Sequence, residues 1–468
     1  MKEKMNDSEL ELAKRCSGKL LLRKEIPLND HQFHSLLAKD VFIPVPSIIS
    51  TTFSKICQRC GNQEKSQFAP LGIQHKQVIW YCRNCIEMGR VVKTEPLYRW
   101  NGKPLQWKQH LDACTWKGKL TAAQANVAET ICQAVKQQRA SLLVWAVCGS
   151  GKTEMLFPGI EEALRQGMRI CIATPRNDVV RELLPRIQSA FASIPVQALY
   201  GQSKEKRGTA QIIIATTHQL LRFEHAFDFM VIDELDAFPY HNDPSLSFAT
   251  ARALKPAGTT IYLTATPRQQ QRRQMQLKRL DHVFVPTRYH GFPLPVPVMR
   301  ICFFLQRDLK RGNVPRVFKK WLRHRKNKQR QLLIFLPTIT LTKLMVQDLT
   351  ELLRSENVIQ VSSEITSVYA ADPDREQKVS QFRNKTIKAI VTTTILERGV
   401  TFPSVDVAVI HAGHSVFDEA ALVQISGRAG RSADDPTGEV VFFHDGKTNS
   451  MVRAIQAIQA MNRLGGFT

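Results

Sequence analysis

The chain has 468 residues, of which 43% are hydrophobic and 23% charged, with a net charge of +24 and an isoelectric point near 9.8. That length holds about three domains, and that balance excludes intrinsic disorder and a minimal disulfide scaffold. The longest unbroken apolar run, Leu142–Cys148, has seven residues, where a membrane-spanning helix needs about 20. The N-terminus lacks the apolar core of a secretory signal, so a cytoplasmic protein is expected. The excess of positive charge points to a polyanionic partner, nucleic acid first and an anionic membrane surface second. A chain kept soluble by surplus lysine is the plain alternative.

In chain order, residues 1–50 are mixed. Glu9–Lys24 predicts a short helix, and Val41–Pro46 is too rich in proline to continue one. Residues 51–105 are rich in Cys, Gly, Asn and aromatics and read as a small metal module. Asn101–Pro104 is a turn-type linker. From there, short β-branched runs alternate with longer amphipathic stretches. Leu142–Val147, Arg169–Ala173, Gln211–Ala215, Phe229–Ile232 and Thr260–Leu263 read as buried parallel strands, and Gln124–Gln138 and Glu154–Gly167 as helices. This alternation predicts an α/β lobe over 106–290 with its functional groups at the carboxyl ends of the strands. The proline-rich Gly291–Pro297 reads as a hinge. A second lobe over 291–468 follows, with strands at Gln331–Phe335, Val358–Val361, Ala389–Val391, Val405–Ile410 and Glu439–Phe443. The expected fold is α/β: two tandem RecA-like lobes with parallel sheets behind a small cysteine module.

Ala146-Val-Cys-Gly-Ser-Gly-Lys-Thr153 fits the phosphate-binding loop, with Ala146 in the first place. A strand precedes it and a helix follows. Gly149 and Gly151, either side of Ser150, let backbone N–H groups turn toward phosphate oxygens. Lys152 is expected to reach the β and γ phosphates of ATP and Thr153 to hold Mg²⁺. A glycine turn with a chance lysine is the plain alternative. The strand Phe229–Ile232 then runs into Asp233-Glu-Leu-Asp236. An acid at the end of a buried strand is costly unless it meets a cation. Asp233 is the expected metal partner and Glu234 the group that polarises water.

These residues resemble a superfamily-2 helicase or translocase from about residue 120 to 435. Leu120-Thr-Ala-Ala-Gln124 resembles the adenine-reading glutamine motif. Ala173-Thr-Pro-Arg176 and Ala215-Thr-Thr-His218 stand where motifs Ia and Ib touch the nucleic-acid backbone. The resemblance thus implies contacts from Pro175, Arg176, Thr216, Thr217 and His218. Thr264-Ala-Thr266 matches the motif coupling nucleotide to nucleic acid, and Ile334–Pro337 resembles motif IV. Thr393–Pro403 resembles motif V, with Thr392 and Thr393 on its nucleic-acid side. Gln424-Ile-Ser-Gly-Arg-Ala-Gly-Arg431 is a full match to motif VI. It implies catalytic roles for Gln424, Arg428 and Arg431, the arginines suiting a γ-phosphate clamp. Family members often carry Asp two residues after the motif V glycine. Thr401 stands there, which puts the ribose-side contact in doubt.

Cys57-Gln-Arg-Cys60 and Cys82-Arg-Asn-Cys85 are separated by 21 residues, just outside the usual spacing of a two-knuckle zinc site. Two C-x-x-C turns supply four thiolates, enough to close a tetrahedral structural Zn²⁺ shell. His75 is a substitute ligand or simply an exposed histidine. The remaining six cysteines read as small hydrophobes. Eight basic residues lie in Arg316–Arg330 and five in Arg268–Arg279. Such runs are solvated helix faces or line a single-strand path.

A four-cysteine module in front of two bare lobes, with Asp-Glu-Leu-Asp-Ala-Phe-Pro-Tyr240, resembles the ComFA family of late-competence ATPases over about residues 50–460. The resemblance implies a single-stranded DNA motor working on the cytoplasmic side of the membrane. It also implies a membrane DNA channel and a phosphoribosyltransferase-like protein as partners. A PriA-like replication-restart helicase and an RNA helicase are the alternatives within the class. A zinc-containing binding module with a vestigial ATPase is the alternative outside it.

Overall fold

Short β-branched runs closed by turns become the central strands of two parallel sheets, because a strand buried on both faces needs apolar residues throughout. The computed structural model describes residues 6–52, 54–74, 77–201, 203 and 207–467. By internal packing the chain divides into two compact units, Met1–Val144 with Thr153–Val283, and Trp145–Lys152 with Phe284–Thr468.

The larger sheet has seven strands in the order Val196–Leu199, Ile212–Thr216, Ile170–Thr174, Phe227–Ile232, Leu254–Thr264, Ser141–Ala146 and Asp281–Val285. Ile170–Thr174 pairs in parallel with both Ile212–Thr216 and Phe227–Ile232. The second sheet has six strands, all parallel, in the order Val298–Ile301, Val440–His444, Val405–Ile410, Gln331–Phe335, Ala389–Thr392 and Ile365–Val368. Its core is built on Phe318, Trp321, Leu332, Ile334 and Phe443.

Three small antiparallel sheets make up the N-terminal region. Leu20–Leu21 and Phe42–Val45 flank Leu97–Trp100 over a separate core of Cys16, Leu21, Ile26, Phe33 and Phe42. Two elements differ from expectation. The first helix covers Asp7–Cys16 rather than running to Lys24. Gly18 ends it at φ +69°, where a Cβ would lie 2.9 Å from Ala226 and could not fit. In the second sheet the strand expected at Val358–Val361 lies at Ile365–Val368. Val358 and Ile359 instead pack into the core after the helix Ile339–Ser355, as apolar anchors of its exit. The segment Phe42–Val45 accommodates Pro44 because it is an edge strand, which needs no second row of N–H donors.

Candidate functional site

The phosphate-loop residues join the strand Ser141–Ala146 to the helix Lys152–Arg165. Gly149 and Gly151 take φ of +81° and +74°, a backbone that side chains resist. Ser150 N donates to Val147 O at 3.2 Å and folds the loop back. Lys152 opens the helix, where backbone N–H groups and the helix dipole favour an anion. Thr153 follows it, 7% exposed. Within the second unit, the loop's Cys148 Sγ donates to Gln424 Oε1 at 3.0 Å and Tyr289 N to Gly149 O at 3.0 Å.

The acidic box ends the strand Phe227–Ile232. Asp233 N donates to Ala173 O at 2.8 Å, which ties the box to the strand carrying motif Ia. Glu234 is forced to φ +56°, uncommon for a residue with a Cβ. Its N–H donates to Asp233 Oδ1 at 2.9 Å, while its own buried Oε2 has no hydrogen-bond partner among the described residues. Burying an acceptor without a partner is costly, and the strained backbone holds it there. Asp236 is the opposite case. Its carboxylate accepts from Thr264 Oγ1 at 2.6 Å and Thr266 Oγ1 at 2.5 Å, and its carbonyl accepts from Arg268 Nη2 at 2.9 Å. The box is thereby bonded to the Thr-Ala-Thr motif. Taken separately, the glycine cradle with its helix-opening lysine suits phosphate groups, and the carboxylate with an open acceptor suits a cation or a water.

The register places motifs Ia and Ib side by side, Ala173 opposite Ala215 and Thr174 opposite Thr216. Their exposure differs. Pro175, Thr216 and Thr217 are buried, whereas Arg176 and His218 are half-buried. The Thr217 hydroxyl has no partner among the described residues. Arg176 Nη2 pairs with Asp178 Oδ2 at 3.3 Å. In the second sheet Thr392 is fully buried and donates its hydroxyl to Val368 O at 2.8 Å, leaving Thr393 as the half-exposed residue of that pair. Gln124 uses its Oε1 to accept from Thr121 N at 2.7 Å in a capping box.

Gln424 lies on the helix Glu419–Ser426, and Arg428 and Arg431 lie in the turn after it. Arg428 is 3% exposed and donates to Val400 O. Arg431 is half-buried, with Nε donating to Gly427 O at 2.9 Å and Nη1 to Thr401 Oγ1 at 3.4 Å. Thr401, two residues after the motif V glycine Gly399, therefore contacts Arg431.

The four cysteines come together. All are fully buried, and their sulfurs lie within 4.8 Å of one another. Cys57 and Cys85 are 3.8 Å apart, Cys60 and Cys82 3.5 Å. A disulfide would be about 2 Å long. Four sulfurs about 2.3 Å from a central Zn²⁺ would be about 3.8 Å apart, so the cluster has the right dimensions for the ion. Sulfur–sulfur hydrogen bonds, first to Cys60, pull the Cys57 thiol far down, while those to Cys57 push Cys60 and Cys85 up. Packed sulfurs cannot all ionise without a cation among them. Gly61 closes the first knuckle at φ +70°, and a Cβ there would meet the Phe248 ring at 2.6 Å. His75 lies outside the described residues.

The basic run Arg316–Arg330 resolves into structure that its composition concealed. Phe318, Trp321 and Leu322 are buried, and Arg325 pairs with fully buried Asp406 at 2.8 Å. Arg330 pairs with Asp435 at 2.5 Å. Burial pushes Asp406 up against the pull of Arg325.

Three family models match the chain: the Competence protein ComFA N-terminal domain at residues 3–99, the res subunit of type III restriction enzymes at 117–269, and the Helicase conserved C-terminal domain at 313–433. Competence protein ComFA of Bacillus subtilis (strain 168) is 40% identical over 464 residues, covering 99% of this chain and 97% of that protein. The chain belongs to the ComFA family. Competence protein ComFA of Streptococcus pneumoniae R6 is 36% identical over 96% of this chain and 98% of its own length. Among solved structures, Saccharomyces cerevisiae Dbp5 bound to RNA and ADP BeF3 superposes with a TM-score of 0.54 at 17% identity, covering 73% of this chain and 88% of that one. That likeness shows the RecA-like helicase fold. With both helicase domains present, the chain is a nucleic-acid-dependent ATPase of the helicase class. Among its described residues no helix is long and apolar enough to cross a membrane.

Proposed function

We propose that this protein is an ATP-driven single-stranded DNA motor that draws transforming DNA into the cytoplasm during competence. The observation that carries the reading is the alignment of motifs Ia and Ib on paired strands beside the acidic box. On this reading the carboxyl ends of neighbouring strands carry both the acidic box and the candidate strand contacts. The net charge of +24 suits a phosphate backbone.

Lys152 supplies the counter-charge for the β and γ phosphates, and Gly149, Ser150 and Gly151 supply backbone donors under them, next to Ala146. Thr153 and Asp233 would hold Mg²⁺, which neutralises phosphate charge when bound. Glu234, with its unpartnered Oε2, orients the attacking water and accepts its proton. Gln424, Arg428 and Arg431 are assigned to the γ-phosphate side, Arg431 being the more accessible arginine. Gln124 is assigned to the adenine. Asp236, bonded to Thr264 and Thr266, passes the state of the box to the Thr-Ala-Thr motif. Arg176, His218 and Thr393 offer the accessible strand contacts, with Pro175, Thr216, Thr217 and Thr392 shaping the backbone beneath them. Zn²⁺ at Cys57, Cys60, Cys82 and Cys85 is structural.

The protein is placed in the cytoplasm, peripheral on the inner face of the membrane, beside a membrane DNA channel and a phosphoribosyltransferase-like competence protein. The test is ATP turnover with and without single-stranded DNA. Turnover should be slow alone, faster with DNA, insensitive to base sequence, and steeply weakened by salt in its DNA dependence. Equal rates with and without DNA would sink the coupling, and stimulation by RNA alone would favour the RNA-helicase alternative.

A further inference from the structure

The four-cysteine knuckle does not stand apart from the ATPase lobe. Two independent bridges join it to the turn that carries motif Ib, and all their members lie in the first unit. That turn is Thr217–Arg222, which follows the strand Ile212–Thr216 directly and holds His218. In the first bridge, Arg59, between the two cysteines of the first knuckle, is fully buried and gives Nη2 to both carboxylate oxygens of Glu25 at 2.8 Å. The same Glu25 accepts from Arg222 Nε at 2.9 Å, and Arg222 Nη1 donates to Gln219 Oε1 at 2.7 Å. One carboxylate thus joins the last residue of the motif Ib turn to the cysteine knuckle.

In the second bridge, Arg252 of the helix Pro244–Ala253 distributes its guanidinium among three carbonyls. Nη1 donates to Gln58 O inside the knuckle at 2.7 Å, Nη2 to Leu221 O at 2.7 Å and Nε to Phe223 O at 3.1 Å. Arg252 therefore fixes the knuckle backbone and the end of the motif Ib turn with one rigid fork. A third, weaker contact runs from Gln219 Nε2 to Met88 Sδ at 3.8 Å, next to the second knuckle. Phe248 of the same helix packs against Gly61, the residue that closes the first knuckle.

We infer that the metal-bound knuckle anchors the motif Ib turn, so that Glu25, Arg59, Arg222 and Arg252 are positioning residues for the contact made by His218. Directed pairs of this kind hold a backbone in one place only if both ends are fixed. The lobe fixes Arg222 and Arg252. Gln58 and Arg59 sit between Cys57 and Cys60 in a turn closed on the backbone side by Gly61 N to Cys57 O at 2.8 Å and Gln58 N to Ser47 O at 2.9 Å, and a metal ion held by the cysteines would fix its sulfur side. Loss of the metal releases Gln58 O and Arg59 together, and with them the far side of the motif Ib turn. The metal then sets how well the motor senses its strand rather than how fast it hydrolyses ATP alone. This rests on the reading of motif Ib as a nucleic-acid contact.

The test uses the full chain loaded with zinc, oligo-dT as the DNA, and variants Glu25→Gln, Arg252→Lys and His218→Ala. Four quantities are read: zinc content, turnover without DNA, the DNA concentration giving half-maximal stimulation, and amide exchange over residues 217–222. Glu25→Gln and Arg252→Lys should keep their zinc and their turnover without DNA. Exchange in the turn should rise, and half-stimulation should need about tenfold more DNA, as expected for losing a hydrogen bond to a charged group. Wild-type protein stripped of zinc by a chelator should behave like them, which covers a variant that fails to fold. Wild-type exchange and half-stimulation in the variants and the stripped protein, with His218→Ala still weakened, would overturn the anchoring and leave the motif Ib reading intact. If His218→Ala responds to DNA as wild type does, the motif Ib reading falls, and exchange in the turn alone decides the anchoring.

Discussion

The acidic box and the cysteine cluster are both buried groups of acids on strand-end turns of the first unit, and they are built in opposite ways. Each cysteine sulfur faces the other three, and a tetrahedral ion would leave no position open. In the box Asp236 accepts from two threonine hydroxyls, while Glu234 sits in a left-handed backbone with one buried oxygen unpartnered among the described residues. Strain and an open acceptor are expensive and persist where chemistry uses them. A closed shell is stabilising and suits a scaffold. On the proposed reading, the difference separates residues assigned to ATP turnover from those assigned to holding the fold in shape.

The sharpest way to break that contrast is at the nucleotide. Lys152→Ala and Glu234→Gln should each lower ATP turnover by about 100-fold or more, the loss expected when a preorganised charge is removed from a developing one, with thermal unfolding close to wild type. Near-normal turnover in either variant would show that the box is not where the chemistry is. At the cysteines the reverse pattern is expected. The wild type should carry one zinc per chain, and Cys82→Ala should lose it and loosen the N-terminal region while much of the DNA-independent turnover survives. A wild type with far less zinc than that, or a Cys82→Ala protein that keeps zinc and loses all turnover, would erase the division of labour.

A smaller effect belongs to the residue between the two extremes. Asp236→Asn keeps the shape of the carboxylate and leaves one threonine hydroxyl facing an amide N–H instead of an acceptor. Hydrogen bonds to a charged group are worth roughly 1.5–3 kcal/mol, so stimulation by DNA should fall several-fold. Turnover without DNA should fall less. Equal losses in both rates would place Asp236 in the chemistry rather than in its coupling.

Much of the fold was legible because its signals are local. A β-branched run bounded by turns reads as a buried strand wherever it lies, and eight of the ten strands expected across the two lobes begin within a residue or two of where they are found. The loop Ala146–Thr153 and the acids after Phe229–Ile232 declared their place by the strands before them. What sequence could not show was partnership at a distance. Glu25 meets Arg222 across 197 residues and Arg59 across 34, and no periodicity encodes either. The basic run at 316–330 concealed Arg325 and Arg330 because Asp406 and Asp435 lie far along the chain. Val358–Val361 misled for a related reason: apolar residues that anchor a helix exit have the composition of a short strand. Motif strings likewise fix which residues line an edge, but not that Thr216, Thr217 and Thr392 are buried while Arg176 and His218 reach the surface.

The last expected effect is on stability rather than turnover, and lies where the N-terminal segment meets the first lobe. Lys19 is 4% exposed, with its ammonium donating to Arg15 O at 2.7 Å and to Arg207 O. Burial, and after it the nearby Arg169 charge, lowers its pKa from 10.5 to about 7. Below that value the amine is protonated whether the chain is folded or not, and it adds no pH dependence. Between about 7 and 10.5 the unfolded chain holds a proton that the folded chain has released. Stability from this group therefore climbs as pH rises through that window, by at most about 1.4 kcal/mol per pH unit, and is flat above it. Glu25 works in another range: burial raises it, but Arg59, the Leu22 N–H and Arg222 together outweigh burial and hold it below the usual carboxylate value. Its contribution is present above that value and lost only as the solution becomes strongly acidic. Denaturant midpoints of zinc-saturated wild type and Lys19→Met, compared at pH 6.5 and 9.5, isolate the lysine, because every other titrating group is common to both proteins. The wild type should gain on the variant as pH rises, and an unchanged difference would mean that Lys19 keeps its charge inside the fold.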